Sequence, residues 1–178
     1  MSKKAGSNLA FKIMAFIHDN PLRRKFSKVF FTLENAGLKS GQTVLEVGCG
    51  PGFFTIPAAK IIGEQGKLYA LDIHPLAIES ATKKIKKEKL ANVETVLADV
   101  TNTNFHNNFF DLIFLFGVPR MIRNEEFFND LLIESFRILK PKGILSVKTT
   151  RMEIIPKVEK REFIFQESKE GIIIFTKS

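Results

Sequence analysis

The stretch Thr43-Val44-Leu45-Glu46-Val47-Gly48-Cys49-Gly50-Pro51-Gly52-Phe53 decides the fold. Its first five residues are β-branched or apolar apart from Glu46, which suits a short buried strand. Three glycines at alternate positions then end the run, and a helix is predicted from Thr55 to Ile62. Strand, glycine turn and helix in that order are the opening of a parallel crossover unit. The turn also has a chemistry. Glycine lets the backbone adopt positive φ and come close to a ligand, and the N–H groups at a helix start favour a carboxylate or phosphate.

Downstream the chain keeps alternating. Strands are predicted at Lys67–Asp72, Val93–Leu97, Asp111–Phe116 and Ile144–Lys148, with helices at Pro75–Lys89 and Glu125–Leu139. The last helix is expected to stop at Pro141 and Gly143. The run at 111–116 is continuously apolar after Asp111, as a central strand covered on both faces would be. Glu162–Gln166 and Ile172–Thr176 read as strands around the turn Lys169-Glu170-Gly171, a hairpin. Upstream, one helix is predicted over Asn8–His18 and a second over Pro21–Ala36, closed by Gly37. The fold class is α/β: a single doubly wound, mostly parallel seven-stranded sheet with a C-terminal antiparallel hairpin and two N-terminal helices. One domain over 1–178 is expected, with 1–36 as a helical lid and 43–176 as the core.

Composition narrows the classes. The 178 residues suffice for one buried core. Cys49 is the one cysteine, so neither an internal disulfide nor a cysteine-rich metal site is available. No apolar run has the length of a signal peptide or a membrane span, so a cytoplasmic protein is expected. The net charge of +8 allows a nucleic acid, an anionic lipid or an acidic substrate as partner. Lys83, Lys84, Lys86, Lys87 and Lys89 alternate with inward-pointing apolar residues, as on a solvated helix face. The 18 phenylalanines against one tyrosine and no tryptophan suit a core or an apolar pocket.

In open parallel sheets, ligands sit beyond the carboxyl ends of the strands. Asp72 ends the second strand, where a carboxylate can accept both hydroxyls of a ribose. Asp99 follows the third, where it can accept from an exocyclic amine while the Val100 N–H donates to a purine nitrogen. A dinucleotide fingerprint would place glycine at position 53, where this chain has Phe53. The spacing Gly48-x-Gly50-x-Gly52, with Glu46 before it, instead resembles motif I of class I S-adenosylmethionine (SAM)-dependent methyltransferases. "LYALDIHP" is similar to their motif II, "LADV" to motif III, "FDLIFLFGVP" to motif IV and "FRILKPKGILSV" to the helix-turn-strand that follows. The likeness runs from about Thr43 to Val147 and is nearest to the methyltransferase type 11 and ubiquinone/menaquinone-biosynthesis types.

That resemblance implies a Rossmann-like methyltransferase with SAM as cofactor. Glu46 and the loop Gly48, Cys49, Gly50 and Gly52 would hold the methionine end. Asp72 would take the ribose, Ile73 one adenine face, and Asp99 and Val100 the adenine edge. Phe116 and Gly117 would flank the sulfonium and the acceptor.

The acceptor is read mainly by exclusion. Methyl transfer is an in-line displacement that needs alignment more than a catalytic triad, and none is visible. Methyltransferases of base amino groups carry an Asn- or Asp-Pro-Pro-aromatic run after strand four, where this chain has Gly117-Val118-Pro119-Arg120. A pyrimidine-C5 enzyme needs a cysteine nucleophile, and Cys49 lies inside the cofactor loop. Relatives of the ubiquinone type often carry a histidine-containing stretch where this chain has Pro119-Arg120-Met121-Ile122. His18, at the end of the first helix, is the candidate base, and Arg120 a candidate for steering an anionic acceptor. His74 is expected to begin the following helix. The expected function is transfer to a small apolar or aromatic acceptor; an RNA-modifying enzyme and a non-catalytic SAM-binding protein are the alternatives. Oligomeric state is left open.

Overall fold

The structure, a computed structural model, describes residues 29–178 apart from the side chain of Ile122. The expected helix Asn8–His18, the first part of the second helix, and His18 itself lie outside the described residues. The second helix is described as α1, Val29–Asn35, closed by Gly37 at φ 91°.

The parallel part of the fold begins with β1 (Thr43–Val47) and α2 (Thr55–Ile62), then β2 (Lys67–Asp72) and α3 (Pro75–Lys87). It continues with β3 (Val93–Leu97), β4 (Phe110–Leu115), the short α4 (Arg120–Arg123), α5 (Glu125–Ile138) and β5 (Leu139–Lys148). A single-turn helix, α6 (Ile155–Glu159), leads into β6 (Phe163–Lys169) and β7 (Ile172–Lys177). The seven strands lie in the order β3-β2-β1-β4-β5-β7-β6. β1 to β5 are mutually parallel, while β7 runs antiparallel between β5 and β6. The chain leaves β1 toward β2 and later returns to pair β4 on the other side of β1. That reversal opens a crevice at the carboxyl edge.

Alternation along the strands divides the core into two layers. Leu45, Val47, Ile113, Leu115 and Val147 pack against Phe127, Leu131 and Leu132 of α5. Val44, Leu112 and Phe114 pack against Leu33 of α1 and Ala58 and Ile62 of α2. β4 sits between β1 and β5 and has five of its six residues buried. Its lone polar residue, Asp111, stands at the amino end. There its carboxylate accepts from Thr43 N–H at 2.7 Å and from the Lys140 ammonium at 2.7 Å, tying three strand starts together.

Two helix starts are built by their own side chains. Asn124 Oδ1 accepts from Phe127 N–H at 2.8 Å, with Glu125 and Glu126 in the first turn of α5. His74 Nδ1 accepts from Leu76 N–H at 3.2 Å, and Pro75 opens α3. The connection after β3 is pinned to α5 by Glu134. Its carboxylate accepts from Thr103 N–H at 2.9 Å and from Arg137 Nε at 2.8 Å, and Arg137 in turn donates to Phe105 O.

Pro141 and Gly143 do not break the chain between α5 and the fifth strand. α5 stops at Ile138, and β5 starts at Leu139 and runs ten residues rather than the five expected. The ladder pairs Phe110 with Leu139 and then Leu112 with Ile144, so residues 140–143 stand opposite Asp111 alone. A bulge of that kind needs no N–H from Pro141, which is how a proline fits inside a strand. The hairpin expected at 169–171 is present, with Glu170 at φ 50° and Gly171 at φ 74°. Two positive φ values in a two-residue loop match the twist of antiparallel strands. Among the described residues no helix is long and apolar enough to cross a membrane.

Leu112 is fully buried at the centre of the sheet. Leu112→Ala is expected to lower unfolding free energy by about 2–5 kcal/mol, measured by urea denaturation.

Candidate functional site

The site grows out of the end of β1. Gly48 N–H and Cys49 N–H both donate to Leu71 O, at 2.8 and 3.0 Å, so the turn folds over the end of β2. Gly48, at φ 76°, lies against the residue that follows β4 by two. A Cβ placed on Gly48 would stand 2.6 Å from Gly117 O, closer than any real contact. Only glycine fits there, for both conformation and space.

Asp72 locks this arrangement. One carboxylate oxygen accepts from Gly50 N–H at 2.9 Å and the other from His74 N–H at 2.9 Å. The side chain therefore joins the glycine turn to the start of α3. Each oxygen has a second lone pair, so the carboxylate still has capacity for ligand hydroxyls. Asp99 is similarly oriented: its Oδ1 accepts from Thr101 N–H at 3.0 Å and Thr101 Oγ1 at 2.8 Å. Ala98 N–H donates to Asp72 O at 3.1 Å, which holds the two strand ends side by side.

Glu46 lies beneath the turn, with 1% of its surface exposed. It accepts from the Thr55 hydroxyl at 2.6 Å. Burial pushes its carboxyl pKa up to about 8; the Thr55 bond pulls against this and the neighbouring Asp72 carboxylate adds to it. Burial likewise drives the Cys49 thiol far up, which makes it an inert packing group rather than a nucleophile.

A cavity of about 370 Å³ opens at this edge, on the α5 side of the sheet. That volume is within the range of small-molecule pockets. Of the residues expected at the cofactor, Gly48, Asp72, Ile73, Asp99 and Val100 line it together. Glu46, Cys49, Gly50 and Gly52 are buried in and under the turn rather than on the cavity wall. Phe116 packs in the α1–α2 layer, edge-on to Phe54 at 5.2 Å and to Phe114 at 5.1 Å. Arg120 does line the cavity, with its guanidinium 4.4 Å from the centre of the Phe127 ring. His74 is 7% exposed and caps α3, as expected of a residue that begins the helix.

Val118, Pro119 and Phe127 complete the apolar wall, and the sequence reading did not single them out for it. Phe127 is presented by α5, and nothing in its local sequence says that the first turn of that helix reaches the carboxyl edge. The lysine run on α3 lies on its outer face, where Lys83 pairs with Glu79 at 2.6 Å. Among the described residues no cluster of acidic, histidine or cysteine side chains could hold a metal ion.

This fold and this crevice define a class I SAM-dependent methyltransferase. Residues 38–173 match the model of a family described as a methyltransferase domain, and the chain belongs to that family. Its cofactor is accordingly SAM. A demethylmenaquinone methyltransferase of Geobacillus sp. (strain WCH70) is 29% identical over 126 residues, covering 70% of this chain and 52% of the relative. A ubiquinone/menaquinone biosynthesis C-methyltransferase of Salmonella arizonae is 32% identical over 132 residues, covering 73% and 51%. The chain thus spans about half the length of the curated relatives it matches. A SAM-dependent methyltransferase from Aquifex aeolicus shares the fold at a TM-score of 0.81 and 24% identity, covering 98% of this chain and all of the other. A TehB-like SAM-dependent methyltransferase from Corynebacterium glutamicum does so at 0.75 and 17%, covering 97% and 100%.

The raised Glu46 pKa has a stability consequence. The folded protein keeps a proton that the unfolded chain gives up above about pH 4.5, the ordinary carboxyl value. This contribution to stability is full below that pH and is lost progressively up to about pH 8. Wild-type unfolding free energy is expected to fall between pH 5 and pH 8 more steeply than that of Glu46→Gln, which cannot titrate. Parallel denaturant titrations at several pH values measure the difference.

Proposed function

We propose that the protein transfers a methyl group from SAM to a ring carbon of a small, hydroxylated aromatic acceptor of the quinol type. The observation that carries the cofactor half is the ordered set of groups around one cavity: Gly48, then Asp72 with Ile73, then Asp99 with Val100. Their chemistry fits the nucleoside. Asp72 would accept from the ribose hydroxyls and Asp99 from the exocyclic amine, while Ile73, Val118 and Phe127 offer apolar surface to the purine plane. The turn from Gly48 to Gly52, backed by Glu46, would receive the methionine end.

Bound there, the cofactor supplies an electrophilic methyl group on a sulfonium. The protein's task is to align the acceptor with that methyl group and to exclude water. The two relatives, named for demethylmenaquinone and for ubiquinone/menaquinone C-methylation, support a quinone-type ring. A quinone ring carbon is itself electrophilic, so the form that can accept a methyl cation is the reduced, hydroxylated ring. Phe53, Phe54 and Phe116, packed edge to face beside the turn, give such a ring an aromatic surface.

Isothermal calorimetry with SAM and with S-adenosylhomocysteine tests the cofactor half. Each is expected to bind, and Asp72→Ala to weaken binding by roughly tenfold or more, since it removes a polar partner and loosens the turn. Absence of binding for both compounds overturns the reading.

A further inference from the structure

Each of the five parallel strands brings one residue to the carboxyl edge as its last: Val47, Asp72, Leu97, Leu115 and Lys148. Only β5 ends on a cation. The registers place this lysine closely. Glu46 pairs with Phe114 and Phe114 with Ser146, so the next residues on the same face are Gly48, Phe116 and Lys148, in one row across β1, β4 and β5. The Lys148 ammonium lies 5.7 Å from the centre of the Phe116 ring, and Phe54 packs edge-on to the same ring at 5.2 Å. Lys148 is exposed, while Phe116 is half-buried. Adjacent strands are about 4.8 Å apart, so Lys148 starts roughly 10 Å from Gly48 and its four-carbon stem can close much of that distance.

We propose that Lys148 is an acceptor-side catalytic residue whose ammonium holds the oxyanion of a hydroxylated aromatic ring seated against Phe116. The proposal rests on the transferase reading above and names the group that replaces the histidine absent near Pro119. Phe116 faces the α1–α2 layer, whereas the nucleoside cavity lies on the α5 side of the same edge. Acceptor and nucleoside would therefore approach the Gly48–Gly117 contact from opposite sides.

A ring hydroxyl that loses its proton to water becomes an oxyanion and raises electron density on the adjacent ring carbon. That carbon forms the new bond to the methyl carbon as the carbon–sulfur bond breaks, and sulfur keeps the electron pair. The ring carbon then releases its own proton to solvent, which restores the aromatic oxyanion. An ammonium at the oxygen stabilises the anion before the attack and again once the ring proton has left, by a charge-assisted hydrogen bond, and donates to the neutral carbonyl oxygen in between. Carboxyl groups on this face are Glu46, one row back on β1, Asp72, in the row itself on β2, Glu167 on β6 and Glu34 on α1. Burial keeps the Glu46 proton on at neutral pH, and Asp72 stands three strands from Lys148 with its carboxylate turned to the Gly50 and His74 N–H groups, so neither neutralises Lys148. Lys169 lies in the same row but two strands farther out, near the Phe31 ring at 5.9 Å.

The test is a binding measurement on the protein loaded with S-adenosylhomocysteine. The probes are 2-hydroxy-1,4-naphthoquinone, ionised at neutral pH, and its neutral methyl ether, each followed by absorbance titration. The wild type is expected to prefer the anion. Lys148→Met is expected to weaken the anion by roughly tenfold and leave the ether within about twofold, with Lys148→Arg retaining the preference. Lys169→Met, which alters net charge equally, is expected to leave both within about twofold. Unchanged anion binding in Lys148→Met, an equal loss of both probes, or a wild type without preference overturns the proposal. Failure of the wild type to bind S-adenosylhomocysteine is read separately by calorimetry and overturns the cofactor reading, and this one with it.

Discussion

The backbone meets itself at one place on the functional edge, where Gly48 leaves β1 and Gly117 follows β4. The fit leaves no room for a Cβ on either residue. Because β1 and β4 flank the reversal in strand order, this contact sets how close the walls of the crevice stand. With the two strand ends drawn together, the turn has to fold toward β2, where Leu71 O receives two successive N–H groups. Asp72, the next residue, then lies directly under Gly50 N–H. One steric requirement thereby fixes the turn, the carboxylate beside it and the helix that follows.

The two acidic residues of this centre show how placement decides chemistry. Asp72 is half-exposed and keeps two backbone donors, so it holds the turn while still presenting lone pairs to a ligand. Glu46 is sealed under the same turn with one hydroxyl donor. A hydrogen bond of that kind favours the ionised form, but full burial penalises the charge by more, and the proton stays on to about pH 8. The two carboxyls flank one glycine turn, yet burial makes only Glu46 a neutral hydrogen-bonding group at neutral pH.

Much of this architecture is written in local sequence. The bounds of β1, α2, β2 and β3 follow from apolar runs that stop at glycine or aspartate, and the hairpin from Lys169-Glu170-Gly171. The order Gly48, Asp72, Asp99 was legible because each follows a strand, and residues after parallel strands share one edge. What could not be read depends on register. The start of β5 at Leu139 rather than Ile144 needs the bulge that excuses the missing N–H of Pro141, and that bulge arises from the pairing of β5 with β4. Phe127 reached the cavity through the angle of α5, and Lys148 reached the Phe116 ring through a row that spans three strands. The face that Phe116 takes, in the α1–α2 layer and off the cavity wall, likewise follows from register and not from the apolar run that contains it.

The ordered strand ends place one nucleoside across β1, β2 and β3. A crystal structure of the protein with S-adenosylhomocysteine tests it directly. Ribose hydroxyls are expected on the Asp72 carboxylate, the adenine amine on Asp99, and the purine between Ile73 and the Val118 side of the cavity. A nucleoside bound elsewhere, or one in the cavity whose ribose makes no contact with Asp72, would contradict it.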